Sequence, residues 1–347
     1  MRQTGCLLVC VKKGAMSTTP SIVVLGGSGF IGTHLVSRLQ ELGKPALIGD
    51  LVHSNAFPEL HTTCDVRDVA SVRSLLVGAG AIVNLAAEHR DDATPISRYH
   101  ETNVGGAQQV CQAATEVCVQ TLVFTSSAAV YGFQRFPVDE SGPFEPFNPY
   151  GKTKLLAEGV YRNWAEQDPT RSLVIIRPTV VFGEGNRGNV HNLLRQIATG
   201  RFIMVGSGTN RKSMAYVGNV VDALVHSLSL GPGIHICNYV DGPDMDMNEL
   251  VTLVNRSLGH THGTRLRIPL PIAMLGGHAL DLVARLTGRS LPISAIRVRK
   301  FCETTQFKAE RIRVSGFTPR FNLKEGLIRT LGFEFMTTGP LSPSSGD

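Results

Sequence analysis

The seven cysteines of this 347-residue chain, Cys6, Cys10, Cys64, Cys111, Cys118, Cys237 and Cys302, are odd in number and contain no CxxC pair. That excludes a disulfide framework and a zinc ribbon, and fits free thiols in a reducing compartment, so a cytoplasmic location and no metal site are expected. A long basic run is also missing. The 34 Lys and Arg exceed the 28 Asp and Glu to give a formal charge of +6, but they are scattered. Scattered cations argue against a nucleic-acid surface and suit a small anionic substrate. No apolar segment runs unbroken across a membrane's thickness. Residues 268–286 come nearest, but Pro269, Pro271, His278, Asp281 and Arg285 interrupt them. They read as a packed helix, with contact at a membrane surface as the alternative and no stable membrane insertion. The apolar patch at 6–10 is too short for a signal peptide, and Lys12 and Lys13 lie on its wrong side. Internal repeats and long low-complexity segments are absent. Residues 1–20 read as a disordered extension, with Met16 an alternative start, and 336–347 as a disordered tail.

The composition that remains, 42% apolar and 18% charged, is that of an ordinary globular protein long enough for a full core. Residues 22–32, IVVLGGSGFIG, say most: an apolar strand runs into a glycine turn that opens a helix. Gly26, Gly29 and Gly32 form GxxGxxG, in which the first permits the tight turn and the second lets backbone approach a pyrophosphate. The third lets helix pack close to strand. The helix start then turns unpaired N–H groups and its positive dipole end toward phosphates. The next strand-like segment, 45–50, ends in Asp50, eighteen residues beyond Gly32. A carboxylate there accepts hydrogen bonds from both adenosine ribose hydroxyls and repels a 2′-phosphate, which selects NAD over NADP.

Further strands are expected at 81–86, 121–125 and 172–177, with helices near 69–77, 98–118 and 150–167 between them. Alternating β and α units specify an α/β fold, a Rossmann-type doubly wound parallel sheet. That domain is expected over 21–180, with a segment near 213–240 returning to it. Residues 181–212 and 241–335 then form a smaller C-terminal substrate-binding lobe. Its entrance is the polar, glycine-rich loop 183–189, a kind of segment that carries ligand contacts.

Tyr150 and Lys154 stand one helical turn apart on the same face. A neighbouring ammonium stabilises phenolate and so lets a tyrosine exchange a proton with a hydroxyl near neutral pH. The same spacing also describes an ordinary surface helix. Ser127, twenty-three residues earlier at the end of the 121–125 strand, adds a small hydroxyl able to bind the same oxygen.

With these residues in place, 22–335 resembles an extended short-chain dehydrogenase/reductase of the NAD-dependent epimerase/dehydratase family. The family's phosphate loop matches Gly26, Gly29 and Gly32, with Phe30 and Ile31 inside it; its ribose acid matches Asp50; its adenine-side acid matches Asp65, beside Val66. The segment under the cofactor matches Asn84, Leu85, Ala86 and Ala87, and the asparagine supporting the active-site helix matches Asn103. The serine motif falls at 126–132, ahead of Tyr150 and Lys154. The resemblance implies bound NAD and a general acid/base at Tyr150, with its pKa lowered by Lys154, which also holds the nicotinamide ribose. It implies that Ser127 polarises the reacting oxygen. A nucleotide-sugar substrate would be held by Thr179, Asn189, Val190 and the pair Arg211 and Lys212, in a homodimer. Relatives often carry arginine and aspartate where Lys212 and Ser213 stand, which leaves Arg211 or Arg187 to grip a pyrophosphate with both arms.

The function implied is C4 epimerisation of a UDP-hexose or UDP-N-acetylhexosamine, through a 4-keto sugar that rotates before hydride returns to its other face. A 4-keto nucleotide-sugar reductase uses the same three side chains once and is the alternative. The 183–189 loop and the 212–216 segment look like those of surface-polysaccharide sugar enzymes, where both activities occur. A 4,6-dehydratase fits less well, because such members place an Asp-Glu pair where Ala128 and Ala129 follow Ser127 here. Two further readings are a hydroxysteroid-type dehydrogenase, in view of the apolar 268–286 stretch, and a non-catalytic cofactor-binding protein. The second class typically lacks the tyrosine or the lysine.

Overall fold

The computed structural model describes residues 21–90, 93–134, 137–260, 266–287 and 295–336. The N-terminal extension with Met16, and the tail from Thr337, lie outside the described residues. Strands β1 (Ser21–Leu25), β2 (Ala46–Asp50), β3 (His61–Thr63), β4 (Ala79–Asn84), β5 (Thr121–Thr125) and β6 (Ser172–Pro178) come first. Between them run helices α1 (Phe30–Glu41), α2 (Val69–Leu76), α3 (Ser97–His100), α4 (Gly106–Glu116) and α5 (Pro149–Glu166). Beyond them come β7 (Val180–Phe182), α6 (Asn189–Ala198), β8 (Met204–Val205), β9 (Arg211–Tyr216), α7 (Val217–Ser227), β10 (Gly233–Tyr239), β11 (Asp241–Asp246) and α8 (Met247–Ser257). The last elements are β12 (Arg267–Ile268), α9 (Leu270–Thr287), α10 (Ala295–Cys302), α11 (Glu310–Val314) and α12 (Leu323–Leu331).

Seven of these strands make one parallel sheet in the order β10-β6-β5-β4-β1-β2-β3. Its central strands are apolar throughout because helices cover both faces. Along β1, Ile22 and Val24 enter a core with Leu35 and Leu39 of α1 and Val220 of α7. The alternate residues, Val23 and Leu25, enter the opposite core with Leu76 of α2, Val110 of α4 and Tyr161 of α5. The strand order reverses between β1 and β4, so the turn leaving β1 opens on a crevice at the carboxyl ends of the strands, where such sheets bind ligands.

Three expectations change. Residues 213–217 do not return to the main sheet: β9 pairs with β7 and β11 in a separate three-stranded sheet. The returning strand is β10, which hydrogen-bonds β6 along its whole length and so satisfies that edge. The helix expected over 98–118 is interrupted by a π-helical turn at 101–105, between α3 and α4. Residues 268–286 do form a helix, α9, but its apolar side is not packed: Ile272, Leu275, Leu282, Val283 and Leu286 are exposed. Its packed side carries Gly277, where a Cβ would lie 2.8 Å from the Ala295 Cα, and Asp281, which accepts the Ala295 N–H at 3.1 Å. Among the described residues no helix is long and apolar enough to cross a membrane.

Candidate active site

At the switch point the glycine turn is built by close approach. Gly26 adopts φ +77°, and a Cβ on it would lie 2.6 Å from the Ala86 nitrogen, so the turn rests on the segment leaving β4. A Cβ on Gly32 would lie 2.6 Å from Gly26 O and from Gly27 Cα and O, so α1 starts directly on that turn. Gly29 differs: its φ of −73° suits any residue, and its Cβ would meet only Gly26 O, at 3.3 Å. The cradle is tight on its protein side and open at Gly29. No side chain caps α1, and the buried Ser28 hydroxyl has no partner among the described residues, which leaves donors for a phosphate. Asp50 ends β2 beside this loop; its carboxylate accepts the Ser28 and Val52 N–H groups, each at 3.0 Å. These features fit a dinucleotide.

The flanking residues lie around the same crevice. Phe30 and Ile31 are half-buried in the first turn of α1, and Leu85, Ala86 and Ala87 are half-buried after β4. Leu85 N donates to Leu25 O at 2.8 Å, tying that segment to β1. Asp65 is gripped by Arg67, with Nη2 and Nε at 2.7 and 2.9 Å, and this ion pair holds its carboxyl below the usual range. Val66 is buried against α4, where a Cβ on Gly106 would lie 3.1 Å from it.

Ser127, Tyr150 and Lys154 meet because the start of α5 packs on the short 3-10 turn Ala128–Tyr131. Asn148 caps α5 by accepting the Gly151 N–H at 2.9 Å, and Pro149 opens it. A Cβ at Gly151 would lie 2.5 Å from Ala129 O, so only glycine permits this approach. Ser127 caps the 3-10 turn, its Oγ accepting the Ala129 N–H at 3.1 Å, and it hydrogen-bonds the Tyr150 phenol. Lys154 is 2% exposed, donates to Thr125 O at 2.8 Å and lies 4.7 Å above the Phe124 ring. Asn103, on the π turn, donates to Glu88 O and to Thr153 Oγ1 and accepts the Glu88 N–H, at 3.1, 2.9 and 2.8 Å. It thereby pins α5, at the residue before Lys154, to the segment after β4.

The electrostatics differ from the expectation. Desolvation pushes the Tyr150 phenol up to about 12, and only the Ser127 hydrogen bond opposes it. The lowering expected from Lys154 is missing because its Nζ points to Thr125 O, 5.9 Å from the Tyr150 ring centre. The amine itself is pulled down to about 7 by burial, against the opposing pull of Glu158.

The expected substrate residues sit less uniformly. Thr179, between β6 and β7, is buried, and its hydroxyl has no partner among the described residues. Asn189 is exposed at the first position of α6, while Val190 is buried in the core. Arg211 Nη1 donates to Asp244 O at 2.7 Å, and Lys212 Nζ donates to Glu303 O. Arg187 binds Glu334 at 2.7 Å. Both guanidinium groups named for a pyrophosphate grip therefore already have protein acceptors.

One cluster escaped the sequence. Glu158 and Arg177 are fully buried and bidentate, at 2.8 and 2.6 Å, and Glu158 also accepts from Ser126 Oγ at 2.6 Å. Arg177 Nη1 donates further to the Tyr131 hydroxyl at 2.7 Å and Glu140 O at 3.1 Å. The position of Glu158, one turn after Lys154, was the available signal.

A model of the NAD dependent epimerase/dehydratase family matches residues 22–238. The chain belongs to that family. It is 46% identical, over 91% of this chain and 96% of the relative, to the N-acetyl-alpha-D-glucosaminyl-diphospho-ditrans,octacis-undecaprenol 4-epimerase of Escherichia coli O157:H7. It is 26% identical, over 92% of this chain and 99% of the relative, to the decarboxylating sterol-4-alpha-carboxylate 3-dehydrogenase of Saccharomyces cerevisiae. The structure of MoeE5 in complex with UDP-glucose and NAD superposes with a TM-score of 0.72 at 25% identity, covering 91% of this chain and 99% of that one. This family member is an NAD-dependent enzyme with the Rossmann-type fold expected of it, and its glycine cradle and Asp50 fit that cofactor.

Proposed function

We propose that this chain inverts C4 of an N-acetylhexosamine carried on a diphosphate, and that the carrier is a polyprenol rather than uridine. The observation that carries this reading is 46% identity extending over nearly the full length of both chains, substrate lobe included. C4 epimerisation of a diphosphate-linked sugar is the activity read from the sequence, with the carrier changed.

In this reading Gly26, Gly29 and Gly32 receive the pyrophosphate of NAD, Asp50 the adenosine ribose, Asp65 and Val66 the adenine side, and residues 85–87 the nicotinamide side. Held there, NAD would supply the acceptor for the C4 hydride and the donor for its return. Tyr150 takes the C4 hydroxyl proton and gives it back, while Ser127 holds the same oxygen and stabilises it as it becomes a carbonyl. Lys154, one turn along α5 from Tyr150, holds the nicotinamide ribose. One hydride and one proton leave and return, so the sugar is inverted without net redox change. Asn103 positions α5. Residues 21–180 with β10 form the cofactor domain and 181–212 with 241–335 the sugar lobe, the sugar lying against Thr179 at the end of the first and Asn189 at the start of α6 in the second. A cytoplasmic homodimer is the accompanying proposal, tested by sedimentation velocity.

The test incubates the protein with polyprenyl-diphospho-N-acetylglucosamine, and separately with UDP-N-acetylglucosamine, without added NADH. NMR of the released sugar should show the galacto epimer from the polyprenyl substrate. Stoichiometric NADH oxidation with a 4-keto sugar, and no C4 exchange on either carrier, would replace the epimerase by a reductase.

A further inference from the structure

On α9 the residues Ile272, Leu275, Gly276, Ala279, Leu282, Val283 and Leu286 are all exposed. Each stands three or four residues from others of the set, so they form a single stripe along one face, about 21 Å long at 1.5 Å per residue. The stripe contains no polar side chain. Helices at a water-facing surface normally show the opposite arrangement, with charge outward and apolar residues inward. Here the one acid of the helix, Asp281, points inward to the N-terminus of α10. Outside this stripe, Leu266, Leu270 and Ile296 are also 52%, 40% and 51% exposed. An exposed patch of this continuity marks a contact surface.

The charge pattern identifies the contact. From 282 to 302 the sequence holds Arg285, Arg289, Arg297, Arg299 and Lys300 and not one Asp or Glu. Only at Glu303 does an acid return, and it pairs with Arg299 at 2.8 Å. An apolar helix stripe followed by a purely basic segment matches the acyl boundary and anionic headgroups of a bilayer. The face is also continuous with the sugar lobe. Residues 303–305 leave α10 and pair with β9: Thr305 N donates to Arg211 O at 3.0 Å, Ser213 N donates to Thr305 O at 2.9 Å, and Lys212 Nζ donates to Glu303 O.

We infer that the exposed stripe of α9 is a membrane-docking face, lying in the interface rather than spanning it, from which the enzyme takes a polyprenyl-linked sugar. The purpose of this face rests on the polyprenyl carrier proposed above; its binding to lipid does not. A substrate whose tail stays in the bilayer presents its diphosphate-sugar only at the headgroup level. A protein held there by α9 places the β9 region next to that level.

The full chain, without sugar substrate, is mixed with vesicles of phosphatidylcholine and phosphatidylglycerol in equal parts and floated on a density gradient. Wild-type protein should rise with the vesicles, less so at high salt. L275E/L282E/L286E should lose roughly tenfold or more of this partitioning. These side chains are exposed, so its circular dichroism should be unchanged, as should its turnover of N-acetylglucosamine on a short, water-soluble prenyl diphosphate. If the triple variant does not fold, Leu286→Glu alone, at a residue 78% exposed, serves instead. Wild-type protein that stays at the bottom, or a variant that floats equally well, overturns the docking face. A wild-type dimer that the substitutions split, with no vesicle binding, overturns it in favour of a second copy of the chain. Normal flotation with epimerisation of UDP-linked sugar alone supports the face and refutes the carrier.

Discussion

Replacing Lys154 by methionine should stabilise the protein while removing its activity. The amine is 2% exposed and donates to Thr125 O, and the nearby Glu158 carboxylate is already bound by Arg177. Burial therefore dominates and lowers its pKa from 10.5 to about 7. In the unfolded chain the amine keeps its proton up to its ordinary pKa. Across pH 7 to 10.5 the unfolded state thus binds more protons than the folded one, and stability must rise with pH. The linkage integral puts the penalty at roughly 4 kcal/mol at pH 7 and roughly 2 kcal/mol at pH 9.

Methionine keeps the length and removes the titration. It leaves Thr125 O without its donor, which costs about 1–3 kcal/mol, so the variant should be more stable at pH 7 by about 1–3 kcal/mol. Glu158 stays paired with Arg177, so no carboxylate is orphaned. The assay is urea unfolding of nucleotide-free wild type and Lys154→Met from pH 7 to 9, taking the difference between the two curves. That difference cancels the groups the two proteins share. It should narrow by about 2 kcal/mol over the range. Parallel curves would refute the claim that burial governs this amine. Turnover of the variant should fall by roughly 10²-fold or more, the loss of activity accompanying the gain in stability.

Tyr150→Phe should keep its fold and bind NAD but lose roughly 10²-fold or more in kcat; near-normal turnover, with circular dichroism unchanged, removes the acid/base assignment. Asp50→Ala should narrow the preference for NAD over NADP in equilibrium titrations, and tighter binding of NADP by the wild type would reverse the assignment of Asp50. Gly29→Ala and Gly32→Ala should separate binding from folding. The first, where the added methyl meets only Gly26 O, should cost no more than about 1 kcal/mol in denaturant but weaken NAD roughly tenfold or more. The second, driven into backbone at 2.6 Å, should cost about 1–3 kcal/mol of stability by itself.

The parts of this site that could be read from sequence are those whose geometry is local. Gly26, Gly29 and Gly32 are legible because a strand, a turn and a helix follow one another within a few residues, and their close contacts are with neighbours in that turn or the adjacent strand end. Tyr150 and Lys154 are legible as one helix face. The orientation of the Lys154 amine was not, because it depends on Thr125 O, which a different element supplies. Which strand of the 213–240 segment returns to the sheet was not legible for the same reason: 211–216 and 233–239 both have strand character, and only the open edge of β6 decides between them. On α9, apolar residues occupy most of the circumference, so periodicity could not say which side meets the core; Gly277 and Asp281 decide it through contacts with α10.

The buried Glu158 and Arg177 pair shows why Ser127, Tyr150 and Lys154 keep their register. An ion pair in the interior is costly to desolvate, so its presence calls for a structural reason. Tyr150, Lys154 and Glu158 follow one another at successive turns of α5, and Glu158 is the one that reaches across to β6 through Arg177. Through its other contacts the pair binds Ser126, the residue before Ser127, and the hydroxyl of Tyr131, which ends the 3-10 turn. Tyr131 in turn donates to Asn238 of β10 at 2.6 Å. A single ionic centre thus joins α5, the serine turn, β6 and β10, the elements on which Ser127 and Tyr150 must stay within hydrogen-bonding distance. Apolar packing could supply the same stability, but it would not fix the serine turn along the axis of α5 as directional, bidentate bonds do.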